Sequence, residues 1–418
     1  MLQGPHGPFF DRLAGLLRKA GATVWRCAFN AGDEFFWSDK ARLIRHQGSE
    51  TDWPDHLRRI TSEKHVTDIV LYGDIRPIHA AARKLAAEGG LRLHVFEEGY
   101  LRPYWVSYER GGSNGHSALM EMSLAQMQSV LRDSLSEVPR PPASWGDMRH
   151  HKFYGAFYHF LVLVANRSYR AYRGHRAIPV LQEFRLNLRR LLLAPVYNAQ
   201  RAVQWHRFRR SAVPYSLVLM QLEHDSNFLG HSPFRSNRDF IDLVVAEFAR
   251  AAPPHHHLLF KAHPLEDGRA GNRRAIRQAA SRYGIAGRAH YLRGGKLAEV
   301  MAHARSVVTV NSTGAQQALW RGIPVKALGR AVYDRPGIMP PQSLGQFLAR
   351  PAPVNAAAYR CFRDYLLQTS QIPGGFYSER SRADALRLVS DLILAPHDPY
   401  QALAAGHVTH RHQLDDIE

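Results

Sequence analysis

Lys261-Ala262-His263-Pro264 places a cation, an imidazole and a rigid loop within four residues. It follows the apolar run Leu258-Leu259-Phe260, which reads as a buried strand. Ligands of open α/β sheets sit just outside the carboxyl ends of the strands. A cation and an imidazole at such a place suit a phosphate. Pro264 stiffens the loop by fixing its own φ and restricting His263. A second loop, Asn311-Ser312-Thr313-Gly314, follows the strand-like run 306–310 and precedes the helix-like run 315–321. Small hydroxyl residues at a helix N-terminus make an anion site. Either tetrapeptide alone is a common strand–loop junction or helix start. Together, at strand ends, they point to a nucleotide or nucleotide-sugar domain.

Further polar residues cluster at other expected strand ends. Gln221-Leu222-Glu223-His224-Asp225-Ser226-Asn227 is a polar loop after the apolar run 215–220. Glu97-Glu98-Gly99-Tyr100-Leu101-Arg102-Pro103 closes the run 91–96. Adjacent acids on a pleated strand point opposite ways, so at most one of the two faces a cleft. The bland alternative is an acid paired with Arg102. The glycine-rich 111–117 reads as a flexible loop able to cover a site, and His255-His256-His257 as a surface turn. The chain has no Asp-x-Asp triplet and only Cys27 and Cys361. No metal and no cofactor are therefore expected, and side chains with helix N-termini carry the phosphate work.

These loops need a scaffold that alternates strand and helix. Helical spacing covers 9–20, 78–88, 239–251, 269–283, 356–370 and 378–394. Apolar strand-like runs lie between them. The rhythm predicts an α/β protein with doubly wound parallel sheets. The expected architecture is GT-B-like: two Rossmann-like domains facing a cleft, with closing C-terminal helices. The expected divisions are 1–150 as an acceptor-side domain, 151–212 as a basic helical bridge and 213–345 as a nucleotide-sugar domain. Closing helices then span 346–395, and 396–418 is a flexible tail.

Lys plus Arg total 55 against 36 for Asp plus Glu, a net charge of +19. An anionic partner is implied. The surplus concentrates between Arg167 and Arg210, with eleven arginines and one acid interleaved with aromatics and leucines. Such a segment suits the surface of an anionic membrane, or else a solvated helix whose leucines pack inward. No helix-turn-helix, RNP or zinc-finger pattern accompanies the charge, so nucleic acid is not the expected partner. No apolar run approaches the roughly 20 residues of a membrane span, and no secretory signal is visible. The expected location is the cytoplasm, peripheral at the inner face of the cytoplasmic membrane.

The motifs together resemble one family. They are Leu2-Gln3-Gly4-Pro5, Phe29-Asn30-Ala31-Gly32-Asp33, Phe96-Glu97-Glu98-Gly99-Tyr100-Leu101-Arg102-Pro103, Gln221-x-x-x-Asp225-Ser226, Lys261-x-His263-Pro264 and Asn311-Ser312-Thr313 with Gly322-x-Pro324-Val325. In this order the chain is similar to the capsule polysaccharide biosynthesis/export family of the KpsS type. The resemblance implies a retaining β-Kdo transferase. Such an enzyme uses CMP-Kdo and begins a poly-Kdo linker on a phosphatidylglycerol-type lipid, beside other capsule assembly proteins. It makes Asp225 the nucleophile and Glu98 the acid/base. His263 and Ser312 would hold the CMP phosphate, with Lys261, Pro264, Asn311, Thr313, Arg102 and Gln221 completing the binding set. Two other readings compete. One is a polyol-phosphate transferase of the teichoic-acid kind. The other is a non-catalytic glycolipid-binding assembly protein.

Overall fold

The computed structural model describes residues 1–103, 105–133, 148–172, 186, 193–266 and 268–407. The strands are β1 (Arg26–Ala28), β2 (Leu43–Arg45), β3 (Asp68–Tyr72), β4 (Arg92–Glu98), β5 (Trp105–Arg110), β6 (Tyr215–Leu219), β7 (His257–Lys261), β8 (Ala289–Leu292), β9 (Ser306–Thr309), β10 (Val325–Ala327) and β11 (Gln371–Pro373). The chain divides into two compact units. One joins 1–180 to 363–418, and the other is 181–362.

The second unit carries a five-stranded sheet in the order β10-β9-β6-β7-β8, with every pairing parallel. From β6 the chain moves outward through β7 to β8, then returns to the other side of β6 for β9 and β10. The order reverses between β6 and β9, and that is where such sheets open a ligand crevice. β6, β7 and β9 are buried nearly throughout, as a sheet covered on both faces requires. Helix Asn237–Ala251 turns Phe240, Ile241, Val244, Val245 and Phe248 into one core with Val218, Phe260 and Val308. Its start is fixed by a capping box between Ser236 and Asp239.

The first unit is α/β as well, but its sheet is mixed. β3 and β4 are parallel, while β5 and β11 add antiparallel to them. The tight connection from Glu98 to Trp105 cannot house a crossover helix, so β5 must return antiparallel. β1 and β2 form a separate parallel pair. Residues 1–3 run beside β3 without forming a named strand: Leu2 N–H donates to Val70 O at 2.8 Å and Tyr72 N–H to Gln3 O at 3.1 Å. Helix Phe9–Lys19 buries Phe9, Phe10, Leu13 and Leu17 against Val389 and Leu392 of helix Glu379–Leu394.

Three local expectations are corrected. The 111–117 loop is not a free lid. Residues 112–115 are buried, Ser113 N–H donates to Asp74 at 3.2 Å and Asn114 N–H to Tyr100 Oη at 2.6 Å. His257 is not in a surface turn but opens β7, with its ring stacked on His290 at 5.1 Å. The first part of the tail is ordered: Pro399–Ala404 is a helix whose buried Tyr400 donates to Glu109 at 2.8 Å. The stretch 194–210 falls within the expected basic helical bridge. It forms helix Ala194–Arg210, and its Phe208 packs edge-on against Tyr215 and His290 of the second unit. The expected basic residues Arg185, Arg189 and Arg190 lie outside the described residues.

Candidate functional site

Three loops leave neighbouring strands of the second unit at their carboxyl ends. β6 leads to Gln221 and Asp225, β7 to Lys261 and His263, and β9 to Asn311 and Ser312. Adjacent parallel strands put these loops side by side.

Gln221 and Asn311 lock two of them together. The Gln221 amide donates to Asn311 Oδ1 at 2.8 Å, and the Asn311 N–H donates to Gln221 Oε1 at 2.9 Å. The Asn311 amide also donates to the carbonyls of Asn227 and His231. Both residues are buried, so their polar groups must find partners inside the protein. They were expected to touch substrate. Their side-chain amides hold the two loops in register.

Asp225 is half-buried at the start of helix Ser226–His231, where Oδ1 accepts from Asn227 N–H at 2.9 Å. That bond fixes the rotamer and leaves Oδ2 unassigned. Ser312 Oγ accepts from Gly314 N–H at 3.3 Å, and Tyr333 Oη braces the same turn by donating to Ser312 O at 2.8 Å. Thr313 begins the short helical turn that follows. His263 Nδ1 accepts from Leu265 N–H at 3.1 Å, which leaves a proton for Nε2. Pro264 lies within that turn.

Lys261 ends β7 and is only 4% exposed. Burial, and then the nearby Arg201 guanidinium, push its ammonium down to about 8. It remains protonated at neutral pH. Among the described residues no carboxylate pairs with Lys261, Arg201 or Arg293. Arg201 and Arg293 were not singled out as site residues from the sequence. The available signal was Arg293-Gly294-Gly295 directly after a strand, a turn that lets a neighbouring side chain come close.

Glu98 belongs to the first unit, at the end of β4. It accepts from Tyr72 Oη at 3.2 Å and Tyr377 Oη at 3.4 Å. Both tyrosines are held well above their ordinary pKa, first by burial and then by the Glu98 charge, so both stay donors. Glu97 turns the other way and accepts from Glu98 N–H at 3.1 Å. Arg102 Nε donates to Gly99 O at 3.3 Å. A third acid, Glu109, was missed in the sequence. It is 1% exposed and accepts from the hydroxyls of Tyr100, Ser117 and Tyr400. Burial pushes it up to about 7 against those three bonds.

Comparison with known proteins finds capsule polysaccharide proteins among the matches. A model of the family described as "Capsule polysaccharide biosynthesis protein" matches residues 67–377. "Capsule polysaccharide export protein KpsS" of Escherichia coli is 31% identical over 384 residues, covering 90% of this chain and 96% of that protein. "Capsule polysaccharide modification protein LipB" of Neisseria meningitidis is 31% identical over 386 residues, 91% of each. Among solved structures, the "beta Kdo 2,7 transferase" of Thermosulfurimonas dismutans KpsC superposes with a TM-score of 0.39 at 12% identity, covering 84% of this chain and 93% of that one.

Proposed function

The chain belongs to the capsule polysaccharide biosynthesis protein family, and on that premise we propose that it is a retaining glycosyltransferase. It moves Kdo from CMP-Kdo to a phosphatidylglycerol-type lipid and so begins the linker on which capsule is built. One observation carries the reading. The loops after β6, β7 and β9 bring a carboxylate, an imidazole and a helix-start serine to the switch point of a parallel sheet.

Each group then has a task. The free oxygen of Asp225 attacks the anomeric carbon and forms a covalent glycosyl ester as the CMP phosphate leaves. His263 Nε2–H and the Ser312 turn stabilise the charge that develops on that phosphate. A general base, for which Glu98 is the expected residue, takes the proton of the acceptor hydroxyl, which attacks the ester and restores Asp225. Two inversions give net retention. This reading uses no metal, since the sequence lacks an Asp-x-Asp triplet to hold a metal–diphosphate pair.

Among the described residues no helix is long and apolar enough to cross a membrane. The lipid acceptor is then reached from a peripheral position on the cytoplasmic face. The test is mass spectrometry of a synthetic lipid acceptor incubated with the protein and CMP-Kdo. A mass gain of one or more Kdo residues is expected, together with a glycosyl adduct on Asp225 when acceptor is withheld. An acceptor that gains a phosphoryl-polyol from a CDP-polyol instead, with no adduct on Asp225, would mean the competing transferase.

A further inference from the structure

We infer that Arg201, Lys261 and Arg293 form an anion subsite at the carboxyl ends of β7 and β8. It takes the carboxylate of an acidic sugar whose nucleotide phosphate lies at the His263 and Ser312 loops. This rests on the nucleotide-sugar reading above and adds the part of the site that recognises the sugar.

The argument starts from Lys261. A buried ammonium without a counter-charge is costly, and proteins retain such a group where a ligand supplies the missing charge. Helix Ala194–Arg210 brings a second cation to it. Phe208 packs near the amino ends of the strands, against Tyr215 and His290. Seven residues earlier, Arg201 reaches the turn after β8: a Cβ on Gly295 would lie 3.6 Å from Arg201 Cδ. Gly294 and Gly295 have φ of 73° and 92°, which side-chain-bearing residues rarely adopt. Tyr197, one turn before Arg201 on the same face, carries the third cation, with the Arg293 guanidinium 3.9 Å from its ring centroid.

Charge then decides the ligand. A sugar–CMP phosphodiester carries one negative charge, already served by His263 and Ser312. Three further cations, none paired with a carboxylate among the described residues, match a second anion. An acidic sugar supplies it as a carboxylate, and guanidinium groups bind carboxylates in a planar fork.

Calorimetry on the full chain tests this with three probes: CMP, CDP and a CMP-Kdo analogue with methylene in place of the glycosidic oxygen. For Arg201→Ala, binding of the analogue is expected to weaken about 10- to 100-fold, with CMP affinity unchanged. Unchanged CMP affinity also reports an intact fold. Arg201→Lys is expected to recover part of the loss. Equal weakening toward CMP and the analogue overturns the inference, and so does no weakening toward either. If CDP gains over CMP as the analogue does and loses that gain in Arg201→Ala, the subsite reads a second phosphate and the carboxylate assignment falls. Each of these outcomes leaves the nucleotide-sugar reading standing. Only a parent protein that binds no cytidine ligand removes both.

A different part of the molecule carries a second inference. Helix Met148–Ala165 turns Tyr158 and Val162 inward but leaves Phe153, Phe160, Leu163 and Val164 at 62%, 54%, 47% and 53% exposure. Their spacing places them on one helical face. Arg149, Lys152, Arg167 and Arg170 are exposed beside it. We propose that this face lies in the headgroup layer of an anionic bilayer, since an apolar stripe rimmed by cations complements that surface. Flotation with phosphatidylglycerol vesicles tests it. Phe153→Ser with Phe160→Ser and Leu163→Ser is expected to cut vesicle binding more than about tenfold, with CMP affinity unchanged. Unaltered vesicle binding overturns it, including the case where the variant turns a dimer into a monomer and the face is then a contact between copies.

Discussion

At the residue scale, one carboxylate and one buried acid make separable predictions. We predict that Asp225→Asn keeps CMP affinity but slows transfer by more than about 10³-fold, on the order of what losing a nucleophile costs. Asparagine still accepts from Asn227 N–H, so the loop start is kept while the attacking oxygen is lost. Near-parental turnover would remove the nucleophile assignment. Glu109 bears on stability instead. Its folded pKa is raised to about 7 from an ordinary 4.5, so the folded state binds the proton more tightly. Its contribution is present below pH 4.5 and is lost as pH rises from there through about 7, by roughly 3 kcal/mol. Glu109→Gln imitates the protonated acid and should flatten that decline. Urea unfolding at pH 5 and pH 8 measures it, and an identical pH dependence in both proteins refutes it.

At the element scale, the Gln221–Asn311 clamp joins two strand ends that lie 90 residues apart in sequence. Replacing either residue by leucine strands the buried partner, at a cost of about 1–3 kcal/mol. Removing both leaves neither side-chain amide orphaned, although the Asn311 N–H still loses its acceptor, so the double variant is predicted to lose less than the sum of the singles. Strict additivity in denaturant unfolding would show that the clamp does not act as a unit. The short motif Asn311-Ser312-Thr313 was legible as a loop at a strand end. That its asparagine serves the neighbouring loop was not, because the partner is set by strand order. Helix Ala194–Arg210 shows the same limit. Its arginines were visible as a charge surplus, but only packing against β8 turns Arg201 toward Lys261 while Arg207, Arg209 and Arg210 stay exposed.

At the scale of the whole molecule, the chain leaves the first unit, forms the second, and returns to complete the first. β11 adds an edge strand to β5, and helix Glu379–Leu394 fills the core over Phe9 and Leu13. Arg110 fastens that helix by donating to the carbonyls of Leu392 at 2.9 Å and Ala395 at 2.6 Å. Val389 is fully buried there. Val389→Asp places an unpaired charge in this core and is predicted to cost more than about 3 kcal/mol. Limited proteolysis should then cut the variant within 1–133 while the 215–350 sheet resists. Equal resistance across both regions would show that the returning helix is dispensable.

Sequence alone determined the α/β class, the strands β4, β6, β7 and β9 and the motifs at their ends, but not β2, β5 or β11. Strand burial and helix caps are local consequences of residue type and period, and the site loops are short contiguous strings. It also set the charge surplus and the lack of a long apolar run. Tertiary structure decided the rest. β5 had to run antiparallel because its connection is too short for a crossover. Gln221 and Asn311 became a clamp because β6 and β9 are neighbours. Lys261 became a buried cation with Arg201 for a neighbour because helix Ala194–Arg210 packs against β8, the strand beside β7. Which side chains meet depends on strand order and helix packing, and those contacts span tens to hundreds of residues that no local pattern connects.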